Sequence, residues 1–162
     1  MGIQVFVTVG AQMPFDRMVR AVDEWAGRRD RGADVFAQIG DATYEPRHVR
    51  FARFLEPPEF KAAYERADVI VAHAGTGSIL AAMELGKPIV VMPRRAALRE
   101  TRNDHQVATA ERFQALGRIP VAWDERELGE ILDRLDGIEG AKNVGKHASP
   151  ELLDAIKRFI ET

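Results

Sequence analysis

The sequence predicts an α/β protein with a Rossmann-like, doubly wound and mostly parallel sheet. Short apolar runs rich in β-branched residues alternate along the chain with longer segments whose apolar residues recur at helical spacing. The chain has 162 residues, of which 46% are apolar and 30% charged, and this suits one domain with its own core. We therefore expect residues 1–162 to form a single domain of the doubly wound class.

The first half of the chain supplies three predicted strands and two predicted helices. Gly10 ends the first β-branched run, and Asp16 is the predicted N-terminal cap of the amphipathic segment that follows it. Two consecutive prolines, Pro57 and Pro58, suit the first turn of the second helix. In chain order, the predictions are strand 3–9, helix 16–28, strand 33–39, strand 49–55 and helix 57–67.

The second half repeats this alternation. Gly86 and Gly117 are predicted to end two of its helices, and Asn103 is predicted to cap the helix that runs to Leu116. In chain order, the predictions are strand 68–72, helix 78–85, strand 88–92, helix 103–116, strand 119–122 and helix 125–135. Residues 137–149 hold three glycines and are predicted as a linker to a last helix, 150–161, whose apolar stripe either completes this core or meets another chain.

The composition excludes several classes of function. Lys and Arg number 23 against 25 Asp and Glu, so the chain lacks the basic balance that nucleic-acid binding needs. It has no cysteine, and its four histidines show no metal-ligand spacing, so we expect neither a thiolate site nor a bound metal. No run approaches the roughly 18 apolar residues of a membrane span. A cytoplasmic domain is the resulting expectation.

The loop from His73 to Ser78 is the most informative of those predicted at the carboxyl ends of the strands, where sheets of this class bind ligands. Gly75 and Gly77 would let the backbone approach a ligand closely, and the helix start offers free N–H groups and a positive dipole end. The hydroxyl groups of Thr76 and Ser78 add hydrogen-bond donors. This pattern favours a phosphate or pyrophosphate, and a plain turn capped by Ser78 is the alternative.

This loop does not match the best-known nucleotide motifs. Leu80 occupies the position of the third glycine in the dinucleotide fingerprint, and the Gly-Lys-Ser/Thr ending of a P-loop is missing. Arg94 and Arg95, after the next predicted strand, could still imitate a site for a 2′-phosphate, so a small NADP-dependent oxidoreductase stays a candidate. The basic loop 94–102 that contains them is otherwise a solvated surface or a contact for acidic phosphates and lipid head groups.

Other polar residues at this predicted edge are candidates for ligand contacts. His73 ends a strand and either faces the ligand or packs its own turn. Gln12, in the loop after Gly10, offers an amide group, although a simple turn explains the loop equally well. At the mouth of the predicted fourth helix, Asn103, His105 and Gln106 either bind sugar hydroxyls or serve the helix start alone. For each of these residues, the sequence supports both alternatives.

Taken together, these motifs resemble the glycosyltransferase family 28 C-terminal domain. The resemblance rests on the following segments: Val7-Thr-Val-Gly, Phe15-Asp, His73-Ala-Gly-Thr-Gly-Ser-Ile-Leu, Glu84-Leu-Gly-Lys-Pro-Ile-Val-Val, Asn103-Asp-His-Gln-Val and Glu111-Arg-Phe. It covers the chain to about Gly117 and more loosely the rest. Within the family, the chain is similar to the soluble donor-binding subunits of two-part UDP-GlcNAc and exopolysaccharide glycosyltransferases.

The resemblance implies one half of a GT-B fold, the half that binds a UDP-sugar without a metal. The pyrophosphate would lie at 75–78, His105 and Gln106 would meet the sugar hydroxyls, and Thr8 with the loop 10–15 would line the same cleft. The activity implied is inverting transfer of a hexose or N-acetylhexosamine to a lipid-linked acceptor. The acceptor half and membrane anchor would belong to a separate polypeptide, which would recruit this chain to the cytoplasmic face of a membrane and supply the general base.

One position departs from the family pattern. Family members commonly carry an acidic residue for the ribose hydroxyls at the position that is Ala81 here. Glu84 lies three residues later on the same predicted helix and is the candidate substitute. This departure favours a second hypothesis, a non-catalytic module that binds nucleotide sugars.

Overall fold

The computed structural model describes residues 3–11, 13–117 and 119–135. Gln12, the predicted linker 137–149 and the predicted helix 150–161 lie outside the described residues. Those predictions therefore stay predictions.

Five strands form one sheet in the order β3-β2-β1-β4-β5, and every pairing between neighbours is parallel. This order confirms the predicted doubly wound class. The strands are β1 (Val5–Thr8), β2 (Val35–Gln38), β3 (Arg50–Ala52), β4 (Val69–His73) and β5 (Ile89–Met92). Because β1, β2 and β4 lie side by side, the loops that follow them meet at one edge of the sheet.

Residues 119–122 were predicted as a sixth strand, and this prediction is wrong. Val121 pairs with Val91 of β5 through a single bridge. Val91 N–H donates to Pro120 O at 3.1 Å, and Ala122 N–H donates to Val91 O at 2.8 Å. Pro120 has no N–H with which to extend the ladder, so the segment pairs only at this point.

In the described part of the chain, five helices connect or flank the strands, and two short 3₁₀ turns precede β2 and follow β5. The helices are α1 (Asp16–Arg28), α2 (Pro57–Arg66), α3 (Thr76–Glu84), α4 (His105–Ala115) and α5 (Glu125–Leu135), and the 3₁₀ turns are Gly32–Asp34 and Ala96–Leu98. Helix α2 begins at its two prolines as predicted, with a capping box between Glu56 and Glu59. Within the described part of the chain, no helix is both long and apolar enough to cross a bilayer.

Three helix starts differ from the predictions, and one of them is that of α3, which begins at Thr76 and not at residue 78. Helix α1 begins at Asp16, but the carboxylate of Asp16 accepts hydrogen bonds from Thr43 N–H at 3.1 and 3.3 Å and does not cap the helix. It ties the start of α1 to the loop after β2 instead. Helix α4 begins two residues after Asn103, whose Oδ1 accepts the N–H of His105 at 3.0 Å.

The described residues form a core of two apolar clusters, one on each face of the sheet. Successive residues of β1 alternate between them: Val5 and Val7 pack on the face with α1 and α5, whereas Phe6 packs on the face with α2 and α3. Both faces are thus covered by helices, as in other parallel sheets. The carboxyl edge of the sheet is left for a ligand site.

Candidate functional site

A cavity of about 680 Å³ opens at the carboxyl edge of the sheet, between α2 and α3. Its volume is within the range of small-molecule sites. Its apolar wall comes from Phe54, Leu55, Pro57, Phe60, Tyr64, Ala81 and Leu85. Its remaining lining residues are Gly10, Ala11, Gln38, Lys61, His73, Gly77 and Ser78.

The first turn of α3 forms the polar end of the cavity. The helix begins at Thr76, so the N–H groups of Thr76, Gly77 and Ser78 have no acceptor within the helix. No acidic residue lies in this first turn, and the helix dipole adds positive potential there. A Cβ atom built on Gly77 would meet nothing within 4 Å, so the space beside this turn is open. The turn is therefore shaped to receive an anion.

His73 lies behind this turn, at the end of β4, and its ring is packed between two glycines. A Cβ atom on Gly10 would lie 2.5 Å from Nε2 of His73, and one on Gly75 would lie 2.2 Å from its Cε1. Gly10 also has a φ of +81°. Gly75 thus makes room for a side chain of the protein itself, whereas we predicted that it admits a ligand. Gly77 alone of the two loop glycines faces open space.

The imidazole of His73 is held by three side chains. Arg94 Nη1 and Gln106 Nε2 lie 3.1 and 3.0 Å from Nδ1, and Ser78 Oγ lies 3.2 Å from Nε2. Burial, followed by the charge of Arg94, lowers the pKa of His73 to about 4. His73 is therefore neutral at physiological pH.

Arg94 is buried, with 4% of its surface exposed, and the prediction of a solvated position is wrong for this residue. Its Nη2 donates to Val9 O at 2.7 Å and to Met13 O, and its guanidinium lies 5.2 Å from the centre of the Phe15 ring. Burial lowers the pKa of Arg94 to about 10, so it remains a cation at neutral pH. Sequence reasoning missed this role, because a run of arginines after a strand is more often solvated.

The neighbouring Arg95 points elsewhere. Its Nη2 donates to Trp123 O at 3.2 Å, and its guanidinium lies 5.9 Å from the centre of the Trp123 ring. Neither Arg94 nor Arg95 lines the cavity. The expectation that the pair imitates a 2′-phosphate site is therefore wrong, since both guanidinium groups bind backbone carbonyls and aromatic rings of the protein.

Thr8 lies beneath the cavity and does not line it. It is fully buried, its hydroxyl group donates to Gln38 Oε1 at 2.7 Å, and its Oγ1 accepts the N–H of Gly10 at 3.2 Å. The structure thus gives Thr8 a part in shaping the first loop. Gln38, which sequence reasoning missed, does line the cavity, and its Nε2 donates to Gly10 O at 3.3 Å and Arg53 O at 3.1 Å.

The residues predicted at the start of α4 separate in the structure. Asn103 and His105 are exposed and do not line the cavity. Gln106 points inward, and its Oε1 accepts the N–H groups of Ala74 at 3.2 Å and Arg94 at 3.1 Å. It joins the loops after β4 and β5 behind His73. Direct contact of these three residues with a sugar stays a prediction.

Helix α3 places Ala81 and Glu84 differently. Ala81 lines the cavity, whereas Glu84 is exposed and does not line it. Among the described residues that line the cavity, Lys61 is the one cationic side chain, and none is a carboxylate. This part of the lining combines an apolar wall with hydrogen-bond donors. Among the described residues, no three His, Asp or Glu side chains form a group that could hold a metal ion.

Comparisons with known proteins show the family of this chain. The family model for the glycosyltransferase family 28 C-terminal domain matches residues 4–139. A UDP-N-acetylglucosamine transferase subunit ALG13 from Eremothecium gossypii is 42% identical over 69 residues, covering 42% of this chain and 32% of the relative. The human protein of the same name is 31% identical over 124 residues, covering 71% of this chain and 10% of its own length. The chain thus spans at most about a third of the curated relatives it matches.

Two solved structures share the fold. MurG from Acinetobacter baumannii superposes with a TM-score of 0.63 at 18% identity, and the match covers 99% of this chain and 50% of MurG. An NMR structure of ALG13 superposes with a TM-score of 0.59 at 20% identity, over 96% of this chain and 98% of that one. The match to the family model covers the whole described sheet and the loops at its carboxyl edge. The chain therefore belongs to the family of the glycosyltransferase family 28 C-terminal domain.

Proposed function

We propose that this chain is the donor-binding subunit of a glycosyltransferase, and that its cavity holds a UDP-sugar. The observation that carries the proposal is the open first turn of α3, which meets an apolar wall within one cavity. A nucleoside diphosphate has the matching chemistry, because it joins an anionic diphosphate to a flat base. The family membership supports the same ligand class.

In this proposal, the diphosphate lies against the N–H groups of Thr76, Gly77 and Ser78. Negative charge builds on the diphosphate as the sugar leaves, and fixed backbone donors at a helix start stabilise such charge without rearranging. The base packs between Phe54 and Leu85, which are both exposed at the cavity mouth. The proposal includes no bound metal.

The name of the relatives supports a finer proposal. ALG13 is described as a subunit of a UDP-N-acetylglucosamine transferase, so we propose UDP-GlcNAc as the donor, with UDP-glucose as the alternative. A lipid-linked acceptor would be bound by a separate, membrane-anchored polypeptide. Because none of the described lining residues is a carboxylate, that polypeptide is also the proposed source of the general base. Recruitment to the cytoplasmic face of a membrane would follow from this partnership.

Calorimetric titration of the full chain with UDP, UDP-GlcNAc, UDP-glucose and NADPH tests the donor class. We expect binding of UDP and at least one UDP-sugar and no binding of NADPH. Binding of NADPH alone would contradict the proposal and favour the oxidoreductase.

A second candidate function is a non-catalytic module that binds nucleotide sugars. The alanine at position 81 favours it, since Ala81 brings no carboxylate to the cavity. The two functions differ when the acceptor-binding polypeptide and a lipid-linked acceptor are added. Transfer of radiolabelled sugar supports the transferase, and tight UDP-sugar binding without transfer supports the module.

A further inference from the structure

The hydrogen bonds around His73 determine which of its ring nitrogens carries the proton. Arg94 has only donors, so Nδ1 of His73 must accept from Arg94 Nη1 at 3.1 Å. Gln106 agrees, because its Oε1 accepts two backbone N–H groups and this turns its Nε2 donor toward the same Nδ1. A neutral ring with an accepting Nδ1 carries its proton on Nε2.

The tautomer of His73 also determines the direction of its hydrogen bond with Ser78, which lines the cavity. Nε2–H of His73 faces Ser78 Oγ at 3.2 Å, so Ser78 accepts there. The hydroxyl hydrogen of Ser78 is then free to donate, and Ser78 lines the cavity in the first turn of α3. If Nδ1 of His73 carried the proton instead, Ser78 Oγ would donate to Nε2. Ser78 would then turn a lone pair toward an anion, which would be repelled.

Arg94 also fixes the loop that follows β1. Its Nη2 donates to Val9 O and Met13 O, on either side of Gly10, whose missing Cβ leaves room for the His73 ring. None of the hydrogen bonds of Arg94 goes to a carboxylate, and its Nε has no partner among the described residues. A buried cation held in this way is costly in free energy, which favours a role in the site over a role in stability alone.

We infer that Arg94 is a positioning residue, which together with Gln106 fixes His73 as the Nε2–H tautomer and thereby turns the hydroxyl hydrogen of Ser78 toward an anion at the first turn of α3. The tautomer stands on the contacts alone. The anion being the diphosphate of a UDP-sugar rests on the proposed function.

Long-range ¹H–¹⁵N spectra of the full chain without ligand test the tautomer directly. His73→Gln assigns the signals of His73 among the four histidines. At neutral pH we expect an Nε2-protonated neutral ring. An Nδ1-protonated ring or an imidazolium would overturn the inference, whether or not the chain binds UDP.

Two variants and a matched control test the role of Arg94. Arg94→Met leaves Gln106 as the donor to Nδ1, so it should raise the Nδ1–H population of His73 in part and weaken UDP binding on the order of tenfold, and Arg94→Lys should restore part of both. Arg95→Met removes the neighbouring guanidinium, which contacts Trp123, and should leave both unchanged. If Arg94→Met fails to fold, the tautomer of His73 in the parent chain and the intermediate UDP affinity expected of Arg94→Lys still test the inference. Parent-like His73 signals together with parent-like UDP binding in Arg94→Met would overturn the inference.

A double-mutant cycle tests whether Arg94 and Ser78 act on UDP binding through one chain of contacts or independently. Ser78→Ala should also weaken UDP binding on the order of tenfold, and the double variant Arg94→Met/Ser78→Ala should be no weaker than either single variant. Additive losses of binding free energy would show that the two residues act independently and would overturn the inference. If the parent chain binds no UDP, the proposed function fails, and the His73 spectra still decide the tautomer.

Discussion

At the scale of single residues, His73 shows what the sequence can and cannot predict. Its place at the end of a strand predicted a position beside the ligand site, and the structure places it in the cavity lining. The sequence could not predict its partners, because Arg94 and Gln106 lie 21 and 33 residues away along the chain. Contacts over such separations depend on the packing of β4 against β5 and α4, which no local pattern encodes.

Protonation of His73 should destabilise the fold. Its pKa of about 4 in the folded chain lies below the ordinary value of 6.5, so the unfolded chain binds more protons between these two values. Stability should therefore fall as the pH drops from about 6.5 to 4, by up to about 3 kcal/mol. Urea unfolding across this range should show a flatter pH dependence for His73→Gln. His105→Gln, which leaves His73 in place, is the control, and an equal change in both variants would contradict the prediction.

Gly77→Val should weaken UDP binding well over tenfold while the fold survives. The added Cβ meets nothing within 4 Å, so the side chain enters the open space where we place the diphosphate. Gly129→Val is the matched control, because Gly129 also lies within a helix and its Cβ would likewise meet nothing within 4 Å. Calorimetry with UDP and thermal melting of both variants check the prediction. Normal UDP binding by Gly77→Val would remove the diphosphate from this turn.

Ala81→Glu should tighten UDP binding about tenfold or better, since a hydrogen bond to a charged group contributes roughly 1.5–3 kcal/mol. Ala81 lines the cavity, so the new carboxylate would reach a bound ribose. Ala81→Gln has nearly the same shape without the charge and should give a smaller gain. An unchanged affinity in Ala81→Glu would mean that another group already binds the ribose hydroxyls.

At the scale of secondary structure elements, the boundaries that depend on local chemistry were predicted best. Helix α1 spans the predicted residues, and the prolines of α2 lie where their fixed backbone angles suit a helix start. The prediction of a strand at 119–122 failed because the apolar pattern was followed although Pro120 has no N–H with which to extend a ladder. The predicted capping role of Asp16 failed for a different reason, since its partner Thr43 lies in another loop.

The loop between β2 and β3 is held to α1 by one buried carboxylate. Asp23 accepts hydrogen bonds from the N–H groups of Arg47, His48 and Val49 at 2.8–3.1 Å and from the Tyr44 hydroxyl. Burial alone would raise the pKa of Asp23, but these hydrogen bonds together keep it below its usual value.

Asp23→Ala should therefore lower the free energy of unfolding by about 3 kcal/mol, because it leaves buried donors without an acceptor. Amide hydrogen exchange at residues 47–49 should accelerate with it. Asp41→Ala, at an exposed position in the same loop, should change stability by less than about 0.5 kcal/mol. Similar losses in the two variants would show that the loop is not anchored through Asp23.

At the scale of the whole molecule, the alternation of strands and helices predicted the fold class, and the sheet order confirms it. The helix that closes the face beside α1 is α5, whose Leu128 and Leu132 are buried in the same apolar cluster. Trp25 Nε1 also donates to Asp133 Oδ1 at 2.9 Å across the two helices. The domain core therefore includes residues well beyond Gly117, where the strongest motifs end.

Leu132→Ala should lower the free energy of unfolding by about 2–5 kcal/mol, the usual cost of a cavity left by a buried leucine. The loss should appear as one shifted transition in urea, because α5 shares a cluster with β1 and α1. Arg134→Ala, exposed on the same helix, is the control. A separate early transition for Leu132→Ala would mean that α5 unfolds on its own.

The two edges of the sheet limit how the chain can join another protein. One edge is β3, which has three residues and carries the exposed Arg50, and the other is β5, met by a segment that contains Pro120. Short, charged or proline-bearing edges resist pairing with strands of other chains. Among the described residues, neither edge offers a template for such augmentation, so aggregation through the sheet is disfavoured. A second polypeptide that assembles with this chain is therefore expected to dock on helices and loops.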